Sequence, residues 1–511
     1  MPRPLSRNLY SPGFLLLLFF VATAPVPFGG VLPGGTLKLE VLAFLTAAFT
    51  FLEPSAFVGS EPRFPVLVRA SLAATLGLSL LACFQTLPLP GDIVHALSPV
   101  ASEAYRSAGR TLALLAGSSA PLPRLSLHPT ETVTVGLLTL AYAAIFVSAF
   151  RLLHTRLRRR VFFGVFLAST LTYIAMAVLA DSGEQRLHGP YVNPDHFAGF
   201  LQIGLAVAFA FSWTVLSYAV ARGWGQGRED VSKGDRLERR LVASAAAIVV
   251  WGLIATAIGL SHSRGGMLAA AGSTVFLVTM SAIFGLRRTS AGHHQRQGQR
   301  VASSAAGIFL GLLFVAAAAG SRPLLRFLAT DPRDLGSDTR VRIWDLSLHA
   351  WKKFPIFGSG LGTYREAVRG FQPRDLVGQL ENAHSDPLQL LVTGGALGAA
   401  LGAVALGCLL FFLVRTWHRQ PHREERAFAL AGLGALVSLT LHGLVEFNFS
   451  LPATPAVLAA VLGASVAAAI SSPERDELPS VQPSVLLSVR STRAMTIRPP
   501  TSAPTTNVDR P

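Results

Sequence analysis

The chain has 511 residues, of which 51% are hydrophobic and only 14% are charged. Soluble domains carry about a quarter charged residues, so this composition excludes an ordinary soluble protein and indicates a membrane protein. The net charge of +16 does not indicate nucleic-acid binding, because the arginines form short clusters between apolar segments and not one basic surface.

Apolar segments of about twenty residues, the length that crosses a bilayer as a helix, recur along the chain. The first follows Arg3 and Arg7 and has the pattern of a signal peptide, but similar segments follow it, so we expect it to be retained as a span. The sequence therefore predicts an all-α polytopic protein with about twelve transmembrane helices. Their approximate ranges are 12–30, 36–53, 64–84, 132–151, 161–180, 196–220, 241–260, 266–286, 301–320, 388–414, 427–447 and 454–470.

Basic clusters orient these spans. Arginine-rich stretches lie at 156–160, 222–240, 287–300 and 415–426. In the predicted order of spans they fall on one side of the membrane, which the positive-inside rule makes cytoplasmic. The intervals 85–131, 181–195, 261–266, 321–387 and 448–452 then face the other side.

The longest outer interval, 321–387, is predicted to contain short amphipathic helices. Residues 337–339 can cap a helix in which Trp344, Leu348 and Trp351 recur at helical spacing. This stripe predicts a helix that lies on the membrane surface, and Phe354 with the following proline ends it.

A glycine-rich stretch, GSGLG at 358–362, follows that helix. It lacks the Lys-Ser/Thr pair of a phosphate-binding loop, so a nucleotide site is not indicated. We interpret it as a tight structural turn.

Arginines on the outer side are the candidate ligands for an anionic group. Arg340 and Arg342 either recognise a phosphate through their planar donors or anchor the helix among lipid headgroups. Arg264 lies in a very short connection, 261–266, whose glycines permit close approach of a ligand. Snorkelling of Arg264 to the surface is the alternative.

Other polar residues lie at the ends of predicted spans. His384 immediately precedes a span and is either an interfacial polar residue or a base held at the bilayer boundary. Asn193 is explained by capping of the sixth span, whereas His196 is not. Glu446 is either part of a site or paired with His442 one helical turn earlier.

These stretches together resemble one family. They read, in chain order, YVNPDHFAGFLQ, LSHSRGGMLAA, TRVRIWDLSLHAWKKFPIFGSGLGTY, ENAHSDPLQLLVTGGALG and HGLVEFNFSLPA. Their order resembles that of the O-antigen ligase and Wzy-type polymerase superfamily of bacterial envelope glycan enzymes. The resemblance implies a core at 190–455 that includes a periplasmic loop at 321–387, after N-terminal spans at 1–189. A last span at 456–470 and a disordered cytoplasmic tail at 471–511 would follow.

The resemblance also implies an activity. Such an enzyme transfers a glycan from a polyprenyl diphosphate carrier to a hydroxyl of lipid A-core, of another glycan repeat or of a protein, at the periplasmic face of the inner membrane. His384 then takes the place of the base, and Arg264 and Arg340 those of the arginines that hold the diphosphate. Arg342, Asn193, His196 and Glu446 are further candidates for substrate binding.

The chemistry predicts an inverting transfer without a metal or another cofactor, because arginines stabilise a diphosphate leaving group and the outer side lacks a D-x-D pair. Thr393-Gly394-Gly395 stands where many relatives carry an acidic residue, which leaves ligase, polymerase and protein-glycosylating activities open. A flippase or transporter of lipid-linked glycans and a membrane scaffold are the alternatives of other classes.

Overall fold

The regular secondary structure in the described part of the chain is helical. The computed structural model describes residues 11–53, 63–116, 121–180, 186–221, 231–287, 339–374, 376 and 378–471. Its helices are α1 (Pro12–Thr23), α2 (Pro33–Leu52), α3 (Val66–Thr86), α4 (Gly91–Leu97), α5 (Pro99–Ala116), α6 (Pro129–Leu152), α7 (Arg156–Ala180), α8 (Pro194–Ala221), α9 (Val231–Leu260), α10 (Arg264–Arg287), α11 (Thr339–Lys353), α12 (Tyr364–Arg369), α13 (Asp386–Thr416), α14 (Arg423–Gly443) and α15 (Ala453–Ala469). Short 3₁₀ turns lie at Phe28–Gly30, Trp417–Arg419 and Asn448–Ser450.

The described helices confirm the predicted all-α membrane fold. Seven of them, namely α2, α3, α6, α7, α8, α13 and α14, are long and apolar enough to cross a membrane, and shorter apolar helices lie at Pro12–Thr23, Ala245–Leu260 and Ala453–Ala469. The count of about twelve spans stays a prediction. The predicted span 301–320, the first part of the long interval, 321–338, and the predicted tail after Ser471 lie outside the described residues.

Helix α14 runs through the centre of the bundle. Most of its residues are buried, and it packs against α8, α10, α13 and α15. Small residues permit this close approach. A methyl group added to Gly432 would lie 2.4 Å from Ser465 Oγ of α15, and one added to Gly434 would lie 2.6 Å from Leu277 Cδ1 of α10.

Helix α13 is interrupted at Gly395, whose φ of 64° and ψ of −168° are not helical. The predicted glycine turn, 358–362, packs against α13 at this interruption and forms hydrogen bonds with its backbone. The amide of Ser359 donates to the carbonyl of Val392 at 3.1 Å, and the amide of Gly360 donates to the carbonyl of Thr393 at 3.0 Å. Irregular backbone within a membrane bundle is tolerated only where protein groups satisfy it, so the turn and the interrupted helix complete each other.

Gln85, near the end of α3, fixes this junction. Its buried amide donates to the carbonyls of Phe357 at 2.5 Å and Thr393 at 3.0 Å, and accepts from the amide of Leu361 at 2.9 Å. A single side chain thereby holds α3, the glycine turn and α13 together.

In the long interval, the face through which α11 packs against the protein was not predicted. Helix α11 ends before Phe354 as predicted, but the stripe of Trp344, Leu348 and Trp351 is not its buried face. The buried residues of α11 are Ile343, Leu346, Ser347 and Ala350, which belong to a small core with Tyr364, Ala367, Val368 and Val392. The helix therefore packs on α12 and α13 through a face that differs from the apolar stripe seen in the sequence.

Helices α4 and α5, in the interval 85–131, were not predicted.

The glycine turn gives a test of this packing. Gly358 has a φ of 75°, and a methyl group added to it would lie 2.2 Å from the carbonyl oxygen of Thr393. We expect Gly358→Ala to destabilise the protein by about 1–2 kcal/mol or more, because the left-handed conformation alone has that cost for an L-residue. Thermal unfolding of purified protein in detergent measures the change. Gly370→Ala is the matched control, since an added methyl group meets no atom within 4 Å there, and equal midpoints for the two variants would contradict the packing.

Candidate functional site

Charged clusters lie at both ends of α14. At its N-terminal end, the buried Glu425 accepts hydrogen bonds from Arg159 Nη2 at 2.7 Å and Arg156 Nε at 3.1 Å. Glu446 follows its C-terminal end, about 30 Å away along a helix of this length. The arginine-rich end is the one predicted to be cytoplasmic, so the Glu446 cluster lies on the predicted outer side.

Glu446 is the centre of the second cluster. Its side chain is 2% exposed, and its Oε1 accepts a hydrogen bond from Arg340 Nη2, whose Nη1 donates to the carbonyl of Val445 at 3.2 Å. Its Oε2 lies 3.3 Å from His384 Nδ1. Burial alone would raise the pKa of Glu446, but the hydrogen bond from His384 and the charge of Arg340 outweigh burial and lower it. The carboxylate is therefore ionised at neutral pH.

This contact decides which nitrogen of His384 carries a proton. An ionised carboxylate only accepts hydrogen bonds, so Nδ1 is the donor. In a neutral imidazole Nε2 is then the acceptor, which is the arrangement that a general base requires. The His384 ring also packs edge-on against Phe447, with centroids 5.0 Å apart.

The backbone around His384 is held by its neighbours. His384 has a φ of 49°, and its carbonyl accepts from Trp344 Nε1 at 3.3 Å. The amide of Asp386 donates to the carbonyl of Glu446 at 3.1 Å, and the Asp386 carboxylate accepts from the amide of Phe449 at 3.1 Å. The start of α13 and the segment after α14 are thus clasped together on both sides of the His384–Glu446 contact.

Asn193 and His196 lie at the start of α8, beside this cluster. Asn193 Oδ1 accepts from the amide of Asp195 at 2.9 Å, which is the capping role that its position predicts. The His196 ring is buried and packs edge-on against Phe447, with centroids 4.5 Å apart. His196 and His384 therefore contact the same phenylalanine.

Arg264 begins α10, next to the same segment. A methyl group added to the adjacent Gly265 would lie 3.0 Å from Val445 Cγ2 and 3.3 Å from His442 Nε2. This close packing brings the exposed Arg264 to the Glu446 end of α14. Arg342 is two residues after Arg340 on α11, about 200° around the helix, so the two side chains point to different sides.

Two details of the site differ from the sequence interpretation. Glu446 pairs with Arg340 and His384, so the alternative in which it pairs with His442 is wrong. Within the described part of the chain, neither ring nitrogen of the buried His442 has a hydrogen-bonding partner.

Arg186 is a residue near the site that the sequence did not identify. It pairs with Asp195 at 2.6 Å and donates to the carbonyl of Ser261 at 2.8 Å, joining the connections before α8 and α10. Its only sequence signal is a charge in a short outer connection.

Fold and site together define a polytopic α-helical membrane protein with a buried, charge-paired cluster at one end of its helices. Among the described residues, no group of three or more His, Cys, Asp or Glu side chains is arranged to hold a metal ion. Residues 247–402 match the family model described as O-antigen ligase. This match confirms the predicted resemblance to the O-antigen ligase and Wzy-type superfamily, and it supports a ligase- or polymerase-like membrane enzyme. The matched region contains Arg264, Arg340 and His384. No curated protein matches the chain.

The lowered pKa of Glu446 predicts how the cluster responds to pH. A carboxyl whose pKa is lower in the folded than in the unfolded protein contributes stability that is complete above its ordinary pKa and is lost as the pH falls through the folded value. We expect wild type to unfold at a higher temperature than Glu446→Gln, with a difference that is constant above pH 4.5 and shrinks in acid. Thermal unfolding from pH 7 to pH 3 measures it.

The control for this titration is Glu381→Gln. Glu381 forms an exposed ion pair with Arg365 at 3.5 Å, which contributes little to stability, so its removal should change the midpoint little at any pH. A difference between wild type and Glu446→Gln that grows in acid would contradict the ionised state of Glu446.

Proposed function

We propose that this protein is a membrane glycosyltransferase that moves a glycan from a polyprenyl diphosphate carrier to an acceptor hydroxyl at the outer face of the bacterial inner membrane. The observation that carries the proposal is the His384–Glu446–Arg340 cluster, at the predicted outer end of the bundle and beside Arg264. Such a cluster offers a base and cationic donors at a membrane surface, which are the groups that this transfer needs.

The arginines act on the donor. A diphosphate is a good leaving group, so stabilising its developing charge is more useful than protonating it. Planar guanidinium groups suit phosphate oxygens because they offer paired donors. The Arg340 side chain, 37% exposed, is held at the cluster by Glu446, and Arg264 begins α10 on the same side. This arrangement supports a role for both arginines in binding the diphosphate.

His384 acts on the acceptor. As the acceptor oxygen attacks the anomeric carbon, the bond from that carbon to the phosphate oxygen breaks, and polyprenyl diphosphate leaves. The hydroxyl proton passes to His384 Nε2, while Glu446 stabilises the resulting imidazolium through Nδ1. A single displacement of this kind inverts the anomeric configuration and needs no metal ion.

The candidate acceptors are lipid A-core, a glycan repeat and a protein. Thr393-Gly394-Gly395 lies at the interruption of α13, where the carbonyls of Val392 and Thr393 bind the glycine turn. This part of α13 thus has a structural role in this chain. The acceptor that accumulates unglycosylated in a deletion strain distinguishes a ligase from a polymerase and from a protein-glycosylating enzyme.

The roles of the base and of the donor-binding arginine are tested by His384→Ala and Arg264→Ala. We expect both variants to insert and accumulate normally but to lose transfer from a polyprenyl diphosphate-linked glycan by about a hundredfold or more. Transfer by isolated membranes, with protein amounts matched, is the measurement. Arg365→Ala, which removes exposed ion pairs that include no residue of the cluster, is the control. Wild-type activity in either variant would overturn that residue's role.

The absence of a metal requirement is tested separately. If guanidinium groups alone stabilise the leaving diphosphate, a strong chelator leaves the transfer rate unchanged. Purified enzyme is treated with the chelator and assayed with and without added Mg²⁺ or Mn²⁺. Loss of activity that a divalent ion restores would show that the metal-free mechanism is wrong.

A further inference from the structure

The backbone of His384 lies in the left-handed region, with a φ of 49°. A residue with a Cβ adopts this conformation at a cost in free energy, so it persists only where neighbouring groups hold it. Besides Trp344 and Asp386, the side chain of Gln389, one helical turn into α13, holds the turn before His384.

Gln389 reaches back over the start of its own helix. Its Oε1 accepts from the amide of Ala383 at 2.9 Å, and its Nε2 donates to Asn382 Oδ1 at 2.9 Å. The amide of Gln389 meanwhile donates to the carbonyl of Ser385 at 2.9 Å, as part of the helix. The side chain thus ties the residue before His384 to the rigid first turn of α13, as a capping side chain does.

A third hydrogen bond extends this hold to the carboxylate. Gln389 Nε2 also donates to Ser450 Oγ at 3.1 Å. Ser450 belongs to the 3₁₀ turn Asn448–Ser450, which follows Glu446 closely in the chain. One amide group therefore bridges the segment that carries His384 and the segment that carries Glu446, whose side chains lie 3.3 Å apart.

We propose that Gln389 is a positioning residue for transfer, because it sets the backbone turn of His384 and the distance between His384 and Glu446. This inference rests on the proposed function, in which His384 is the base. A base displaced by about 1 Å from its productive position loses about a hundredfold in rate, so the orientation of His384 is worth fixing from two sides.

The test compares Gln389→Met with Gln389→Glu. Methionine preserves the length of the side chain but none of its hydrogen bonds. We expect Gln389→Met to lower kcat by roughly tenfold to a hundredfold while KM for the donor stays within about threefold. Glutamate still accepts from the Ala383 amide, and Asn382 can turn its amide to donate to it, so Gln389→Glu should retain more activity than Gln389→Met. Gln420→Met is the matched control, because the buried Gln420 binds the carbonyls of Ala469 and Ser471 at the other end of the bundle.

A double variant separates positioning from general damage. If Gln389 acts through His384, Gln389→Met has no further effect on the residual transfer rate of His384→Ala. A further loss in that background, or equal activity of Gln389→Met and Gln389→Glu, would overturn the inference. Where Gln389→Met does not accumulate, Ser450→Ala removes the bridge to the Glu446 segment alone; an unchanged kcat in that variant would also overturn it. Full transfer by His384→Ala would instead overturn the proposed function.

Discussion

A buried carboxylate next to the end of a membrane helix is the constraint on which this site depends. Glu446 is 2% exposed, and an ionised carboxylate without partners in such a place would cost several kcal/mol. Arg340 from α11 and His384 from the turn before α13 remove that cost by pairing with it. Segments far apart in the sequence therefore converge on one side chain. The same contact fixes the tautomer of His384. The contact between His384 and Glu446 thus serves both the stability of the fold and the proposed role of His384 as a base.

Charge pairing at the opposite end of α14 follows the same logic. Arg159 and Glu425 are both fully buried and lie 2.7 Å apart. Apolar contacts give membrane helices little register, because lipid tails are as apolar as the side chains that would pack together. Polar anchors at the two ends of a central helix supply the missing register. An arginine cluster that indicates topology in the sequence thus has a second role, which is to hold α7 against α14.

The sequence predicts the elements of this fold better than the faces through which they pack. Span boundaries follow from composition, because backbone groups in hydrocarbon force long apolar runs into helices. The packing face of α11 does not follow, since Trp344, Leu348 and Trp351 form an apolar stripe at helical spacing, whereas the buried residues include the smaller Ile343 and Ala350. The pairing of Glu446 with Arg340 and His384 did not follow from the sequence either. His442 has the helical spacing for a local pair, but α14 ends at Gly443, and the chain turns Glu446 toward other segments.

Two of the residues with left-handed backbone other than glycine lie at the site. Among the described residues, those with such a backbone are Phe28, His262 and His384. His262 lies in the turn before α10, which begins at Arg264. His384 lies in the turn before α13, which begins at Asp386. Glycine would adopt either turn without strain, and this chain uses glycine freely in the neighbouring turn at Gly358, Gly360 and Gly362. The turn before α13 therefore carries an imidazole at a cost that a glycine would avoid. A residue other than glycine is expected in such a turn where its side chain is needed. The backbone conformation of His384 therefore supports a chemical role for its side chain, independently of the charges around it.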